Sequence, residues 1–153
     1  MDDTRAGRVG GFDGRTGPLA LLALRLVIGA LFIAHLYWKF AILPSGFAGW
    51  WAGFAHNHYP AFVPAYVFSA ELAGAVLIAP GLWARWAALY ALPMMLGAAQ
   101  FWLARKGFYF TAAGGELPLV WAALLALLAG LGDGPYAIAA SPMPWGRSDR
   151  GAR

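Results

Sequence analysis

The chain has 153 residues, of which 61% are hydrophobic and only 12% are charged. A soluble domain carries about twice that share of charged residues, and so apolar a surface would not stay in solution. The composition therefore indicates an integral membrane protein, with the bilayer as its first partner. No nucleic-acid partner is expected, and the absence of cysteine excludes disulfides, iron–sulfur clusters and thiolate metal sites.

The first seventeen residues, MDDTRAGRVGGFDGRTG, are polar, rich in glycine and mixed in charge. They predict a disordered tail over residues 1–17 rather than the basic leader of a secretory signal. No A-x-A cleavage site follows the first apolar run. We therefore expect that run to be retained as a membrane helix.

Apolar segments of the length that crosses a bilayer, about 20 residues, recur four times between residues 18 and 136. Pro80 and Gly81 break the chain between the second and third segments and predict a tight antiparallel hairpin. The sequence thus predicts an all-α fold, a polytopic four-helix membrane bundle. Its spans are expected at about 18–40, 62–80, 83–104 and 116–133.

The connection between the first two spans, residues 41–61, is aromatic and has no Lys, Arg, Asp or Glu. Tryptophan and tyrosine prefer the membrane interface, so this stretch predicts a short amphipathic or partly re-entrant segment there. An ordinary loop with an aromatic anchor explains it equally well. Residues 137–153 predict a second solvated tail.

Basic residues are unevenly distributed between the two ends of the predicted bundle. The positive-inside rule then places both termini in the cytoplasm, with the inner membrane of a bacterium as the expected location. The inner side has Arg5, Arg8, Arg15, Arg85, Arg147, Arg150 and Arg153, whereas the outer side has Lys39, Arg105 and Lys106.

Three basic side chains fall on one face of the first predicted helix. At 100° per residue, Arg25, His35 and Lys39 share an arc of about 80°, and this face should point into the bundle because lipid disfavours charge. Helix rise places Arg25 about 10 Å and Glu71 about 16 Å from the inner surface. We therefore predict an Arg25–Glu71 ion pair, which is either interhelical glue or part of a site.

A second polar cluster is expected in the outer half of the bundle. His35 and Gln100 fall at a similar depth, and Lys39 and Glu116 lie slightly above them. The aromatic connection, with its histidines, could cover this cluster. The candidate site residues within the aromatic connection are Trp50, Trp51, His56 and His58.

These residues lie in a pattern that resembles the DoxX family of small four-helix membrane proteins. The matching stretches are LRLVIGALFIAHLYWKF, SAELAGAVLIAPGLWARWAAL, GGELPLVWAALLALL and GLGDGPYAI, in the family's order and spacing. The resemblance covers about residues 20–138. The polar positions that it carries over are Arg25, His35, Lys39, Glu71, Arg85 and Glu116.

The resemblance implies a membrane subunit of a quinone-linked oxidoreductase, because some members belong to thiosulfate:quinone oxidoreductase or terminal quinol oxidase assemblies. A quinone needs an apolar slot, donors to its carbonyl oxygens and a proton route. Whether the chain is an enzyme by itself stays open, since it supplies no electron source. The candidate quinone-binding residues are His35, Lys39, Gln100, Glu116, Trp50 and Trp51.

Three other functions remain open from the sequence. The chain could be a non-catalytic accessory or assembly subunit that docks onto other membrane proteins or onto itself. A metal site built from His35, His56 and His58 is a weaker alternative, and no haem is expected because only His35 sits in a span. A solute carrier is disfavoured, since four helices without repeats suit alternating access poorly.

Overall fold

The computed structural model describes residues 16–142. The predicted disordered tail, except for its last two residues, and most of the predicted C-terminal tail therefore lie outside the described residues. So do six of the arginines on which the predicted orientation depends: Arg5, Arg8, Arg15, Arg147, Arg150 and Arg153.

The described residues form five α-helices and no strand, which confirms the all-α class. Two of the helices continue into a π-helical turn, at Trp38–Ile42 after the first and at Gly74–Ile78 after the third. The helices are α1 (Thr16–Tyr37), α2 (Gly46–His56), α3 (Phe62–Ala73), α4 (Ala84–Lys106) and α5 (Glu116–Leu131).

Two of these helices are long and apolar enough to cross a membrane. They are α1 with its π turn, 27 residues over Thr16–Ile42, and α4 with 23 residues. The other two predicted spans form shorter apolar helices, Phe62–Ile78 and Glu116–Leu131. At about 1.5 Å per residue, each of the shorter helices measures roughly 25 Å, somewhat less than the hydrocarbon thickness of about 30 Å.

A single apolar core joins α1, α3, α4 and α5. Phe32 of α1 is fully buried, and its ring lies where a side chain on Gly74 would have to stand, so that glycine allows the close approach of α1 and α3. Alanines supply most of the core surface of α4. The largest buried apolar side chains are Phe32, Ile28, Ile78, Leu125 and Leu128.

Large apolar side chains also cover the outside of the helices. Leu26, Val27 and Ile33 of α1 are each about half exposed, and Leu127 and Leu131 of α5 even more so. Water would disfavour this surface by roughly 25 cal/mol for each Å² of apolar area. Its distribution along the long helices is that of a surface made for lipid.

The aromatic connection contains the second helix rather than an irregular loop. Phe47 of α2 stacks on Phe40, with ring centroids 4.8 Å apart, and packs edge-on against Phe68 of α3 at 5.0 Å. Because α2 rests on the π turn of α1 and on α3, it covers one end of the core.

At the other end of the core, residues 133–142 form what we call the C-terminal strap. The backbone nitrogens of Ile138 and Ala139 donate to the carbonyls of Pro80 and Gly81, at 3.1 and 3.2 Å, and Trp83 N donates to Ala139 O at 3.0 Å. The sequence predicts a solvated tail from residue 137 onward, but Ile138 and Ala139 pair with the α3–α4 turn.

Candidate functional site

Lys39 and Glu71 form a buried ion pair between the π turn that follows α1 and the last turn of α3. The Lys39 Nζ donates directly to Glu71 Oε2, and the two residues are only 2% and 4% exposed. This corrects the sequence prediction, which paired Glu71 with Arg25. Within residues 16–142, Lys39 is the only ion-pair partner of Glu71.

The register of the two helices explains the correction. A Cβ on Gly29 would stand 2.7 Å from the Cβ of Ala79, so the end of the π turn that follows α3 lies opposite the middle of α1 rather than opposite its start. Because the helices run antiparallel, this register brings Lys39 to the level of Glu71. Arg25 then extends past the end of α3, so that it cannot reach Glu71.

An aromatic ring borders the buried pair on the side of α2. The Lys39 Nζ lies 4.5 Å from the ring centroid of Trp50, within the range of a cation–π interaction. Trp50 also packs edge-on against Phe54, with centroids 5.0 Å apart. The ammonium is therefore held between a carboxylate and an aromatic face.

His35 lies one turn before Lys39 and is exposed on α1. Its ring meets Trp121 of α5, with centroids 4.9 Å apart and planes inclined by 63°. Trp121 is itself buried and contacts Phe32 at 5.2 Å. The imidazole thus stands exposed at the seam between α1 and α5.

The other predicted members of the outer cluster are placed elsewhere. Gln100 is exposed on α4, and Glu116 Oε2 accepts a hydrogen bond from Phe110 N at 3.0 Å. Trp51 packs against Phe47. No hydrogen bond or ion pair in the described part of the chain connects Gln100 or Glu116 to His35 or Lys39.

The histidine alternative for a metal gains no support from the arrangement. His56 ends α2, and His58 follows it in a left-handed backbone conformation with φ of 59°. Over residues 16–142, no three His, Asp or Glu side chains come together as a metal-binding group. The structure thus does not bring His35, His56 and His58 to one point.

Two surface cavities lie away from the buried pair. One, of about 170 Å³, is bounded by α2 and the start of α3 and is lined by Trp51, Phe54, Tyr59 and Pro64 among others. The other is an open groove of about 530 Å³ on α5, between Ala123, Ala126 and Gly130. Neither is lined by His35, Lys39 or Glu71, so these two cavities lie apart from those titratable side chains.

Arg25 and Asp133 anchor the C-terminal strap at the opposite end of the core. The Arg25 guanidinium donates to the backbone carbonyl of Asp133 and, at 2.9 Å, to that of Tyr136. A side chain on Gly81, where φ is +73°, would collide with the guanidinium. Glycine therefore fits this turn both in conformation and in space.

The Asp133 carboxylate receives three hydrogen bonds. They come from the backbone of Arg85 at 3.0 Å and from the backbone and hydroxyl of Ser141 at 2.7 and 2.9 Å. Burial raises the pKa of Asp133, but these hydrogen bonds and the Arg85 charge outweigh it and leave the pKa below its usual value. The sequence identified Asp133 as an acid at a span end, but nothing in it pointed to Ser141.

Comparison with known proteins identifies a family but no individual relative. A search of curated proteins and of solved structures found no match. The family model DoxX matches residues 20–105, which include α1 to α4 almost completely and contain both members of the Lys39–Glu71 pair. The chain therefore belongs to the DoxX family, and this membership together with its two long apolar helices indicates a membrane protein.

Proposed function

We propose that the chain is a four-helix subunit of a quinone-linked oxidoreductase or respiratory complex in the bacterial inner membrane. In this proposal a quinone headgroup binds at the seam between α1 and α5, beside His35. The buried Lys39–Glu71 pair lies behind it and exchanges protons. The observation that carries the proposal is this ion pair, buried between two apolar helices, with an exposed histidine one turn before Lys39.

The shared core and the apolar exterior support a four-span membrane arrangement. We assign α1, α3, α4 and α5 as the four spans, since all four contribute to one core. The shorter helices α3 and α5 suit local thinning of the bilayer, at a cost of fractions of a kcal/mol per Å of mismatch. Arg25, Arg85 and the strap then lie at the cytoplasmic end with both termini.

An ion pair in this position has a large desolvation cost, and packing alone does not require it. Apolar side chains of similar volume often serve as well or better in a protein interior. Ionisable residues within a membrane are rare and mark ion, proton or ligand pathways by default. This is why we assign Lys39 and Glu71 a function beyond assembly.

The side chains fit the needs of a quinone headgroup in different ways. His35 is exposed to the lipid side and can donate to a carbonyl oxygen, and the Trp121 ring offers a flat apolar contact next to it. Lys39 is paired with Glu71 and covered by Trp50. Lys39 is therefore better placed to hold and transfer a proton than to contact the ligand directly.

A bound quinone supplies two-electron redox chemistry coupled to protons. The residues of this chain would bind and orient the headgroup and hold protons at His35, Lys39 and Glu71. The electron donor belongs on another subunit. Gln100, Glu116 and Trp51, which the sequence had included, are not needed for this site.

Extraction of quinone from the purified protein tests the proposal. The protein is purified in mild detergent from native membranes, as wild type, His35→Ala and the matched control Gln100→Ala, which truncates another exposed polar side chain. We expect quinone in the wild type and the control and its loss in His35→Ala. Equal quinone in all three, or none in the wild type, would overturn the site.

A non-catalytic accessory subunit is the second candidate function. It is favoured by the mismatch between cavities and titratable groups and by the open groove on α5, where Ala123, Ala126 and Gly130 permit close helix contact. For this candidate we expect Ala126→Leu to release partner subunits during purification while His35→Ala does not. The reverse pattern would contradict it.

A further inference from the structure

The cavity between α2 and α3 is lined by other side chains than the proposed quinone site and suits a different kind of ligand. Its lining is aromatic and proline-rich, with Trp51, Phe54, Tyr59 and Pro64. It measures about 170 Å³, which is room for roughly six methylene groups at liquid-like density. A short segment of a hydrocarbon chain fits this volume, whereas a complete quinone with its headgroup and tail does not.

Arg105 lies beside this cavity at the end of α4, and Lys106 follows it in the chain. The Arg105 guanidinium stacks on Phe101 at 3.7 Å and donates to Asn57 Oδ1 at 3.2 Å. Phe101 in turn contacts Tyr59, which lines the cavity, with centroids 6.1 Å apart. Arg105 is thus one aromatic ring away from the cavity, and Lys106 is exposed next to it.

No acidic side chain neutralises these cations within residues 16–142. The acids there are Glu71, Glu116 and Asp133: the first is paired with Lys39, the second bonds to the Phe110 backbone, and the third belongs to the strap at the other end. Arg105 therefore lies near an apolar cavity with Lys106 adjacent in the chain, and neither forms an ion pair within residues 16–142. This is the arrangement that complements an anionic lipid.

We propose that this corner of the molecule binds an anionic phospholipid. The lipid phosphate lies on Arg105 and Lys106, and one segment of an acyl chain enters the cavity beside Tyr59. Arg105 is suited to the phosphate because its planar guanidinium offers several donors, of which Asn57 takes one. The proposal requires the membrane location of the chain but not the binding of quinone.

Native mass spectrometry in detergent tests the proposal with phosphatidylglycerol against phosphatidylcholine as probes. We expect the wild type to retain phosphatidylglycerol preferentially and Arg105→Gln/Lys106→Gln to lower that preference about tenfold, since each interfacial cation contributes attraction to anionic lipid. The control is Arg147→Gln/Arg150→Gln, which removes the same net charge from the sequence outside residues 16–142. A preference that survives the first pair, or falls equally with the control, would overturn the proposal.

A second variant tests the cavity, and a second probe separates a lipid from a free anion. Ala55→Leu, at an exposed position in the cavity wall, should weaken both lipids severalfold, whereas Ala123→Leu in the α5 groove should not. Inorganic phosphate should not displace phosphatidylglycerol. Unchanged binding in Ala55→Leu, or full displacement by phosphate, would contradict a lipid site.

Discussion

Arg25 and Lys39 lie on the same helix and are almost equally buried, 1% and 2% exposed, but their charges are accommodated in different ways. Lys39 meets a carboxylate that can itself gain or lose a proton. Arg25 meets backbone carbonyls of the strap, which cannot titrate. The contacts of Arg25 thus suit a fixed structure, whereas the Lys39–Glu71 pair can change its protonation state.

The strongest test of this difference removes one member of the ion pair. Lys39→Met leaves the Glu71 carboxylate buried without its cation, and losing one partner of a buried pair costs about 3–5 kcal/mol. Lys39→Met/Glu71→Met should recover most of that loss, because neither residue then requires solvation. Unfolding in mixed detergent and SDS micelles, followed by tryptophan fluorescence, measures both.

Lys106→Met is the matched control, since it removes the same group from an exposed position at the end of α4. We expect it to change the free energy of unfolding by less than about 0.5 kcal/mol. If the double variant is as unstable as Lys39→Met, the pair is part of a larger polar network and not a self-contained proton site.

Arg25→Met should have the next largest effect, about 2–3 kcal/mol, because it leaves the carbonyls of Asp133 and Tyr136 without a charged donor. Hydrogen exchange over the strap should accelerate most. In Lys39→Met, exchange of the strap should rise no more than in the rest of the bundle. A strap that stays protected in Arg25→Met would show that its backbone pairing with Pro80 and Gly81 suffices.

Asp133→Asn should destabilise the strap by about 1–2 kcal/mol, because an amide cannot accept from Arg85 and Ser141 at both of its ends. The folded-state pKa is depressed, so the carboxylate contribution is fully present above the unfolded value of about 3.9. It is lost as the pH falls through the folded pKa.

The pH dependence of stability tests whether the pKa of Asp133 is depressed in the folded protein. The difference in thermal midpoint between wild type and Asp133→Asn should stay constant from pH 8 to about pH 4 and shrink only below it. A difference that disappears between pH 7 and pH 5 would contradict a depressed pKa at Asp133.

The sequence predicted the helical class and the importance of Arg25, Lys39 and Glu71, because charge within apolar runs is visible without coordinates. It paired them wrongly because it aligned the ends of two helices of different length. Their register depends on the close contact of Gly29 with Ala79, a packing detail that periodicity does not contain.

The strap was missed for a related physical reason. Its backbone pairing with the α3–α4 turn and the bonds of Ser141 to Asp133 connect residues that no periodic pattern relates. Turn chemistry did predict the break at Pro80 and Gly81. It could not predict that a later segment would lie across that turn.

Glu116→Gln gives the smallest expected effect and separates structure from function at the Lys39 end. The carboxylate accepts from Phe110 N across a short loop, and a glutamine oxygen can accept the same bond. We expect Glu116→Gln to lower the free energy of unfolding by less than about 1 kcal/mol and to leave the quinone content unchanged. The His35→Ala protein, by contrast, should stay folded but contain no quinone. Loss of quinone in Glu116→Gln would extend the site from the α1–α5 seam to the start of α5, where no hydrogen bond in the described residues now links the two.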